Sequence, residues 1–369
     1  MKIGILTLPL HTNYGGILQA YALQTALERM GYEAVVIDKT NQAKLPLWKM
    51  PLSYPKRILK KYALGKKNIR IFQEQWFNQT YPIVSKNIQP FIDKYIHYIT
   101  PNKLSELKPD QFNAIVVGSD QIWRPKYYPQ IENAYLTFAK NWNIKRIAYA
   151  ASFGTDKWEY SPTQTETCKK LAQKFDGISV RESSGINLCK QHLNTSAQHV
   201  LDPTMLLDKE DYIRLFEKAK TPKSPGNMLV YVLDETQEKT TLINKVAKEK
   251  GLTPFRVNSQ IGNLNAPLEK RIQPSVEQWL RGFYDAEFVV TDSFHACAFS
   301  ILFGKPFIVY GNENRGLSRF ESLLHLFSLK DRLTTDITNI PHSDIDWNNV
   351  EKQLAHLRTQ SQRFLQKYL

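Results

Sequence analysis

His295 is the first residue in this chain whose type and position suggest chemistry. It follows Phe288-Val289-Val290-Thr291-Asp292-Ser293-Phe294 and opens the run Ala296-Cys297-Ala298-Phe299-Ser300-Ile301-Leu302-Phe303-Gly304. The apolar, β-branched residues before it read as a buried strand. Asp292 and Ser293 are good N-cap types, and the residues after them are apolar on nearly every face, as in a fully buried helix. Gly304 and Pro306 stop that helix, and Phe307–Tyr310 begins another strand. Open α/β sheets hold ligands at the carboxyl ends of strands, against helix N-termini, so His295 stands where a ligand would be. The chemistry it offers there is proton transfer. The plainer alternative is a hydrogen-bonded core histidine.

Other strand ends carry reactive groups. Asn113–Val117 reads as a buried strand, and Gly118-Ser119-Asp120-Gln121-Ile122-Trp123 comes straight after it. Asp120 would accept hydrogen bonds from sugar hydroxyls while Trp123 offers an apolar face, although Asp also favours such turns for its own capping. Gly177–Val180 is followed by Arg181 and a serine-rich helix start. A guanidinium beside a helix N-terminus suits a phosphate or carboxylate, or else pairs with Glu182 or another acid at the surface. A polar loop after Tyr310 contains Arg315 and Arg319. Between strand Ile3–Leu8 and a helix from Ile17 lie His11, Asn13, Gly15 and Gly16. The two glycines either admit a ligand to the backbone or make a plain tight turn. They do not form GxGxxG, and no Walker lysine is present.

The elements that must position these residues alternate strand and helix twice over. This predicts an α/β chain of two Rossmann-like domains, with the strand ends facing a common cleft. The first spans 1–205, with a basic, helical insertion over 40–110. The second spans 206–345, and a basic amphipathic helix over 346–369 ends the chain. At 369 residues, 42% hydrophobic and 12% aromatic, the chain has the composition of a globular protein. Its net charge of +14 and pI near 9.4 point to anionic partners. Cys168, Cys189 and Cys297 lack CxxC spacing and read as buried thiols. No segment reads as a membrane span or a leader, which predicts a cytoplasmic protein. Thr40–Arg70 holds nine Lys/Arg and no carboxylate, interleaved with Trp48, Tyr54, Leu59 and Tyr62. Such a segment can lie on anionic lipid headgroups, or can be a solvated insertion with a few docked aromatics.

Taken together, several stretches resemble the polysaccharide pyruvyltransferase family. They are Asn13-Tyr14-Gly15-Gly16 with Leu18–Leu23, Gly118–Trp123, Ser179-Val180-Arg181-Glu182, Leu201-Asp202-Pro203-Thr204, and Thr291–His295 through Gly304-Lys305-Pro306. They occur in order along nearly the whole chain, with Thr40–Leu107 the main unmatched stretch. The resemblance implies a glycosyltransferase-B-like fold of two facing Rossmann-like domains. It also implies polysaccharide biosynthesis, capsule or exopolysaccharide, by transfer of a pyruvyl group from phosphoenolpyruvate onto a sugar as a ketal, with phosphate released. The family's catalytic histidine carries over to His295, and its phosphoenolpyruvate-binding arginine to Arg181. A further basic residue matches Arg315 or Arg319. Some members have Arg-Leu-His where this chain has Ser293-Phe294-His295, so the contact made by that arginine must come from elsewhere.

On this reading His295 is the general acid toward C3 of the enol. Arg181, Arg315, Arg319 and Ser293 bind the donor. Asp120 serves the acceptor hydroxyl, and Asn13, Gly15, Gly16, Gln121 and Trp123 bind the acceptor. Arginines supply the charge, so neither metal nor cofactor is expected, with phosphoenolpyruvate as a substrate. The acceptor would be a sugar of a polysaccharide or a lipid-linked oligosaccharide, which also gives the basic segment a use at the inner face of the cell membrane. Two other readings stand beside it. One is a nucleotide-sugar-dependent glycosyltransferase, which would need a late carboxylate such as Glu313 or Glu321. The other is a non-catalytic module that binds nucleic acid or membrane through Thr40–Arg70; nucleic acid is not expected under the first reading.

Overall fold

The structure is a computed structural model describing residues 1–38, 43–66, 69–311, 316–336, 340 and 343–369. Strands β1 (Lys2–Leu6), β2 (Glu33–Ile37), β3 (Tyr98–Ile99), β4 (Ala114–Val117), β5 (Lys145–Ala151), β6 (Gly177–Val180) and β7 (Gln198–His199) form one parallel sheet. Its order is β3-β2-β1-β4-β5-β6-β7. Strands β8 (Met228–Tyr231), β9 (Pro254–Phe255), β10 (Phe288–Thr291), β11 (Phe307–Tyr310) and β12 (Leu333–Thr334) form a second, in the order β12-β11-β10-β8-β9. Parallel sheets are covered on both faces, so their central strands read as unbroken apolar runs. Ala-Ile-Val-Val of β4 and Phe-Val-Val-Thr of β10 are buried at every position.

Strand order determines where a ligand can go. The first sheet reverses direction between β1 and β4, and the second between β8 and β10. Connections leave toward opposite faces at such a reversal and open a crevice between them. The residues following β1 and β4 are His11–Gly16 and Gly118–Asp120; those following β10 are Asp292–His295. The stretches carrying Asn13, Asp120 and His295 therefore sit at the two reversals, while Arg181 follows β6 and Arg319 lies beyond β11.

The two sheets share one core. Helix α1 (Tyr14–Arg29) lies between them, with Tyr14 stacked on Trp279 of a later helix, Val276–Asp285, at 5.6 Å between ring centroids. The Tyr14 hydroxyl donates to Pro274 O at 2.7 Å. The C-terminal helix Trp347–Tyr368 returns to the first sheet, as Ser361 Oγ accepts from Leu201 N at 3.0 Å and Phe364 meets Tyr149. The basic insertion ends differently from the sequence expectation. After three helices, Met50–Tyr62, Gln73–Val84 and Gln89–Tyr95, the chain re-enters the first sheet as β3 at its edge. The insertion also reaches the second half of the chain, where Asn87 Nδ2 donates to Gln273 O at 2.9 Å and Gln273 N to Val84 O at 3.0 Å. Among the described residues, no helix is long and apolar enough to cross a membrane.

Candidate active site

His295 is the second residue of the buried helix Phe294–Leu302, which Ser293 caps by accepting from Ala296 N at 3.5 Å. Capping leaves the ring free to point out of the helix start, toward the first turn of α1. There it meets Gly15: a Cβ on that glycine would lie 2.0 Å from His295 Nδ1 and 2.3 Å from Cγ. Gly15 therefore seats the imidazole. It is neither a donor of backbone contacts at an open surface nor a plain turn residue, since α1 is already helical at this point.

The other edge of the ring faces buried charge. His295 Nε2 lies 3.4 Å from Arg181 Nη1 and 3.7 Å from Asp202 Oδ2. Arg181 is 2% exposed and donates from Nη1 to Asp202 Oδ2 at 2.8 Å and from Nη2 to Asp120 Oδ1 at 3.3 Å. Its Cζ lies 4.3 Å from the centroid of the Phe294 ring, which blocks its other side. Burial works against each of these charges, but the partners outweigh it. Arg181 is held above its usual pKa by Asp202 and Asp120 despite desolvation. Asp120 is held below the usual carboxylate range by Arg181 and His295, and Asp202 well below it by His295 and Arg181. Glu182 is not the partner of Arg181 at the surface; its Oε1 accepts from Phe153 N at 2.7 Å and Gly154 N at 3.1 Å.

Arg319, in the first turn of helix Ser318–Leu326, is 7% exposed and has its Cζ 5.7 Å from the Phe294 ring centroid. Burial and the neighbouring Arg181 lower its pKa to about 10, as expected when two guanidinium groups approach one point. The Phe294 ring thus lies within reach of two arginines, one of which, Arg181, also touches His295. Arg315 and Glu313 lie outside the described residues, while Glu321 is exposed and lines a separate cavity of about 630 Å³ with Ser183 and His325.

The acceptor residues expected from the sequence divide. Asp120 belongs to the buried cluster, held at φ +55° by the turn after Gly118. Gly118 is itself at φ +129°, where a Cβ would lie 2.0 Å from Tyr149 O. Asn13 is exposed and caps α1 by accepting from Gly15 N at 3.1 Å. Gly16 leaves room for a Cβ at ordinary contact distance, so space does not require glycine there. Gln121 packs by Gly154 and accepts from Arg124 Nη1 at 3.1 Å. Trp123 corrects the expectation of a sugar-facing ring. It is wholly buried, stacked on Tyr135 at 4.7 Å, with Nε1 donating to Ala134 O, because the loop over Ile131–Ala139 folds across it.

Asp202 is the residue that reading the sequence for chemistry missed. In the sequence it enters only within the stretch Leu201–Thr204, with no chemical role attached. Its Oδ1 accepts from Thr204 N at 3.0 Å and Thr204 Oγ1 at 2.7 Å, which fixes the carboxylate with Oδ2 toward Arg181. Ser119 Oγ adds a third contact at 3.3 Å. The signal that was available is its place just past β7, the same strand-end position held by Asp120 and Arg181. Among the described residues, no three His, Cys, Asp or Glu side chains gather as a metal-binding set.

A histidine beside a fixed carboxylate and a buried arginine can exchange a proton with a bound anion. The sequence matches the polysaccharide pyruvyl transferase family over residues 13–314, which spans every residue of this cluster except Arg319. The chain belongs to that family. Its activity is accordingly polysaccharide pyruvyl transfer. No curated protein sequence matches the chain. Solved structures with a similar layout include UDP-GlcNAc 2-epimerase from Neisseria meningitidis bound to UDP-GlcNAc, at 10% identity and TM-score 0.47, covering 99% of this chain and 94% of that one. Arabidopsis thaliana UGT89C1 complexed with UDP-L-rhamnose matches at 10% identity and TM-score 0.45, covering 99% and 92%. UDP-GlcNAc 2-epimerase from Methanocaldococcus jannaschii matches at 11% and 0.45, covering 96% and 92%. For this pyruvyl transferase they carry no statement about ligand or mechanism.

Proposed function

We propose that this pyruvyl transferase takes its pyruvyl group from phosphoenolpyruvate and joins it to two hydroxyls of one sugar as a ketal. The sugar would belong to a polysaccharide or a lipid-linked oligosaccharide precursor. The observation that carries the proposal is the placement of His295 Nε2 beside Arg181 and Asp202, with Arg319 across Phe294. Two arginines suit the phosphate and carboxylate of one small trianion, which they can hold bidentately.

His295 gives a proton to C3 of the enol, leaving an oxocarbenium-like C2. One sugar hydroxyl adds to C2 and loses its proton. Phosphate then leaves with its C–O bond electrons, and the second hydroxyl adds with loss of its proton. Of the two protons released, one restores His295 and one goes to phosphate. When protonated, Nε2 faces the Asp202 carboxylate, and once it has given that proton to substrate Arg181 Nη1 can donate to the bare nitrogen. The bond from Arg181 to Asp120 is the longer of that arginine's two, at 3.3 Å. A substrate oxygen that replaced it would free Asp120 to accept from the incoming hydroxyl.

The test is phosphate release from phosphoenolpyruvate with a panel of galactosides, mannosides and N-acetylhexosaminides, with product mass analysis. The expected result is release that depends on acceptor, adds a pyruvyl mass to the sugar, and falls at least a hundredfold in His295→Ala, at the lower end of general acid catalysis of about 10²–10⁴-fold. Absence of phosphoenolpyruvate binding by calorimetry would sink the proposal.

A further inference from the structure

Helix Met50–Tyr62, the second helix of the chain (α2), is turned the wrong way round for a helix of a globular protein. Trp48, in the 3₁₀ turn Leu47–Lys49 that leads into it, is followed at spacings of four, seven and three by Leu52, Leu59 and Tyr62, and the last three share one face of the helix. The four are 72%, 74%, 60% and 71% exposed. The side turned to the protein is polar instead. Arg57 donates to both oxygens of Glu74, at 2.7 and 2.6 Å, and to Ile71 O at 2.8 Å. Tyr54 meets the half-exposed Phe72 edge-on and has Arg57 Cζ 6.0 Å from its ring centroid. No residue of α2 is buried. Thirteen residues are marginal as a helix in water without tertiary packing, so the apolar stripe lacks the cover that would stabilise it.

We propose that this face docks on an anionic lipid bilayer. Lys49, Lys56 and Lys60 run along one border of the stripe at spacings of seven and four. From Ala43 to Gln73 the sequence contains no carboxylate. Lysine stems can lie against the apolar phase while their ammonium groups reach lipid phosphates, and Trp and Tyr favour the headgroup level. An acidic protein surface would meet the same charges but gives no reason for an outward Trp-Leu-Leu-Tyr stripe. The docking helix is linked to the cleft through the helix that follows it. Phe77 and Tyr81 of the next helix (α3, Gln73–Val84) pack on His11 at 5.9 and 4.7 Å between centroids, and His11 belongs to the loop that leads to Gly15. Through Arg57 and Glu74, α2 is thus tied to the helix that packs on the loop leading into the active site. Docking itself does not depend on the reaction; delivery of a lipid-borne acceptor rests on the pyruvyl-transfer reading.

The experiment is co-sedimentation of the full chain with phosphatidylcholine vesicles, with and without phosphatidylglycerol, alongside binding to soluble polyglutamate. Pelleting is expected only with phosphatidylglycerol. Each basic residue at a lipid surface changes partitioning about fivefold, so Lys49→Ser/Lys56→Ser/Lys60→Ser should weaken it on the order of a hundredfold. Trp48→Ser/Leu52→Ser/Leu59→Ser should abolish it. These exposed changes leave the circular dichroism spectrum and phosphate release on a water-soluble acceptor as in wild type. Failure to pellet with anionic vesicles overturns the proposal. So does undiminished binding by the Trp48/Leu52/Leu59 variant, or polyglutamate binding as tight as vesicle binding, which would mark an acidic protein as the partner. Lack of phosphate release with every acceptor would count against the reaction alone and leave the vesicle result to stand.

Discussion

Replacing Gly15 by alanine separates helix stability from catalysis. Gly15 lies in the first turn of α1, where alanine would favour the helix by up to about 1 kcal/mol. The added methyl, however, would sit 2.0 Å from His295 Nδ1 and 2.6 Å from Cε1. Relief to an ordinary contact of about 3.4 Å requires the ring to move by about 1.4 Å, and a ring only 7% exposed has little room. Overpacking costs about 1–3 kcal/mol, which the helix gain offsets in part, so the melting temperature should move by no more than a few degrees. A catalytic group displaced by about 1 Å loses about a hundredfold in rate, or about 2.7 kcal/mol in the barrier. Steady-state phosphate release from phosphoenolpyruvate with an active acceptor is the assay, run on wild type, Gly15→Ala, His295→Ala and the double variant. The expected pattern is a hundredfold loss in kcat/KM for Gly15→Ala with little further loss when His295 is already alanine. Full activity in Gly15→Ala, or an equal loss in the His295→Ala background, would refute the idea that Gly15 acts by seating His295.

Asp202→Asn should shift the pH dependence of kcat/KM and flatten the acid limb of stability. The folded pKa of Asp202 is below its unfolded value of about 3.9, so its contribution is complete above that value and is lost as pH falls toward the folded one. Urea midpoints of wild type and Asp202→Asn should converge as pH drops below about 4; a gap that stays constant with pH would count against the charge-pair account. Trp123→Phe should lower the melting temperature through lost packing against Tyr135 while leaving the acceptor KM unchanged. A raised KM with unchanged stability would restore Trp123 to the acceptor site.

Much of the fold was legible because parallel strands covered on both faces must be apolar without interruption. Ala114–Val117 and Phe288–Thr291 announce themselves for that reason, and the punctuation of Gly304 and Pro306 fixes the helix between β10 and β11. The same logic placed His295, Asp120 and Arg181 at carboxyl strand ends, where local sequence alone decides the position. What local sequence does not contain is the partner. Arg181 meets His295 from 114 residues away, and Asp202 matters only because folding brings that pair onto its carboxylate. Trp123 has the composition of a sugar platform, yet a loop beginning at Ile131 covers it. The sequence interleaves basic and apolar residues over Thr40–Arg70, but an amphipathic pattern is defined in the helix's own frame. Only tertiary packing decides which face meets the protein, and here Glu74 and Ile71, by holding Arg57, turn the apolar one outward.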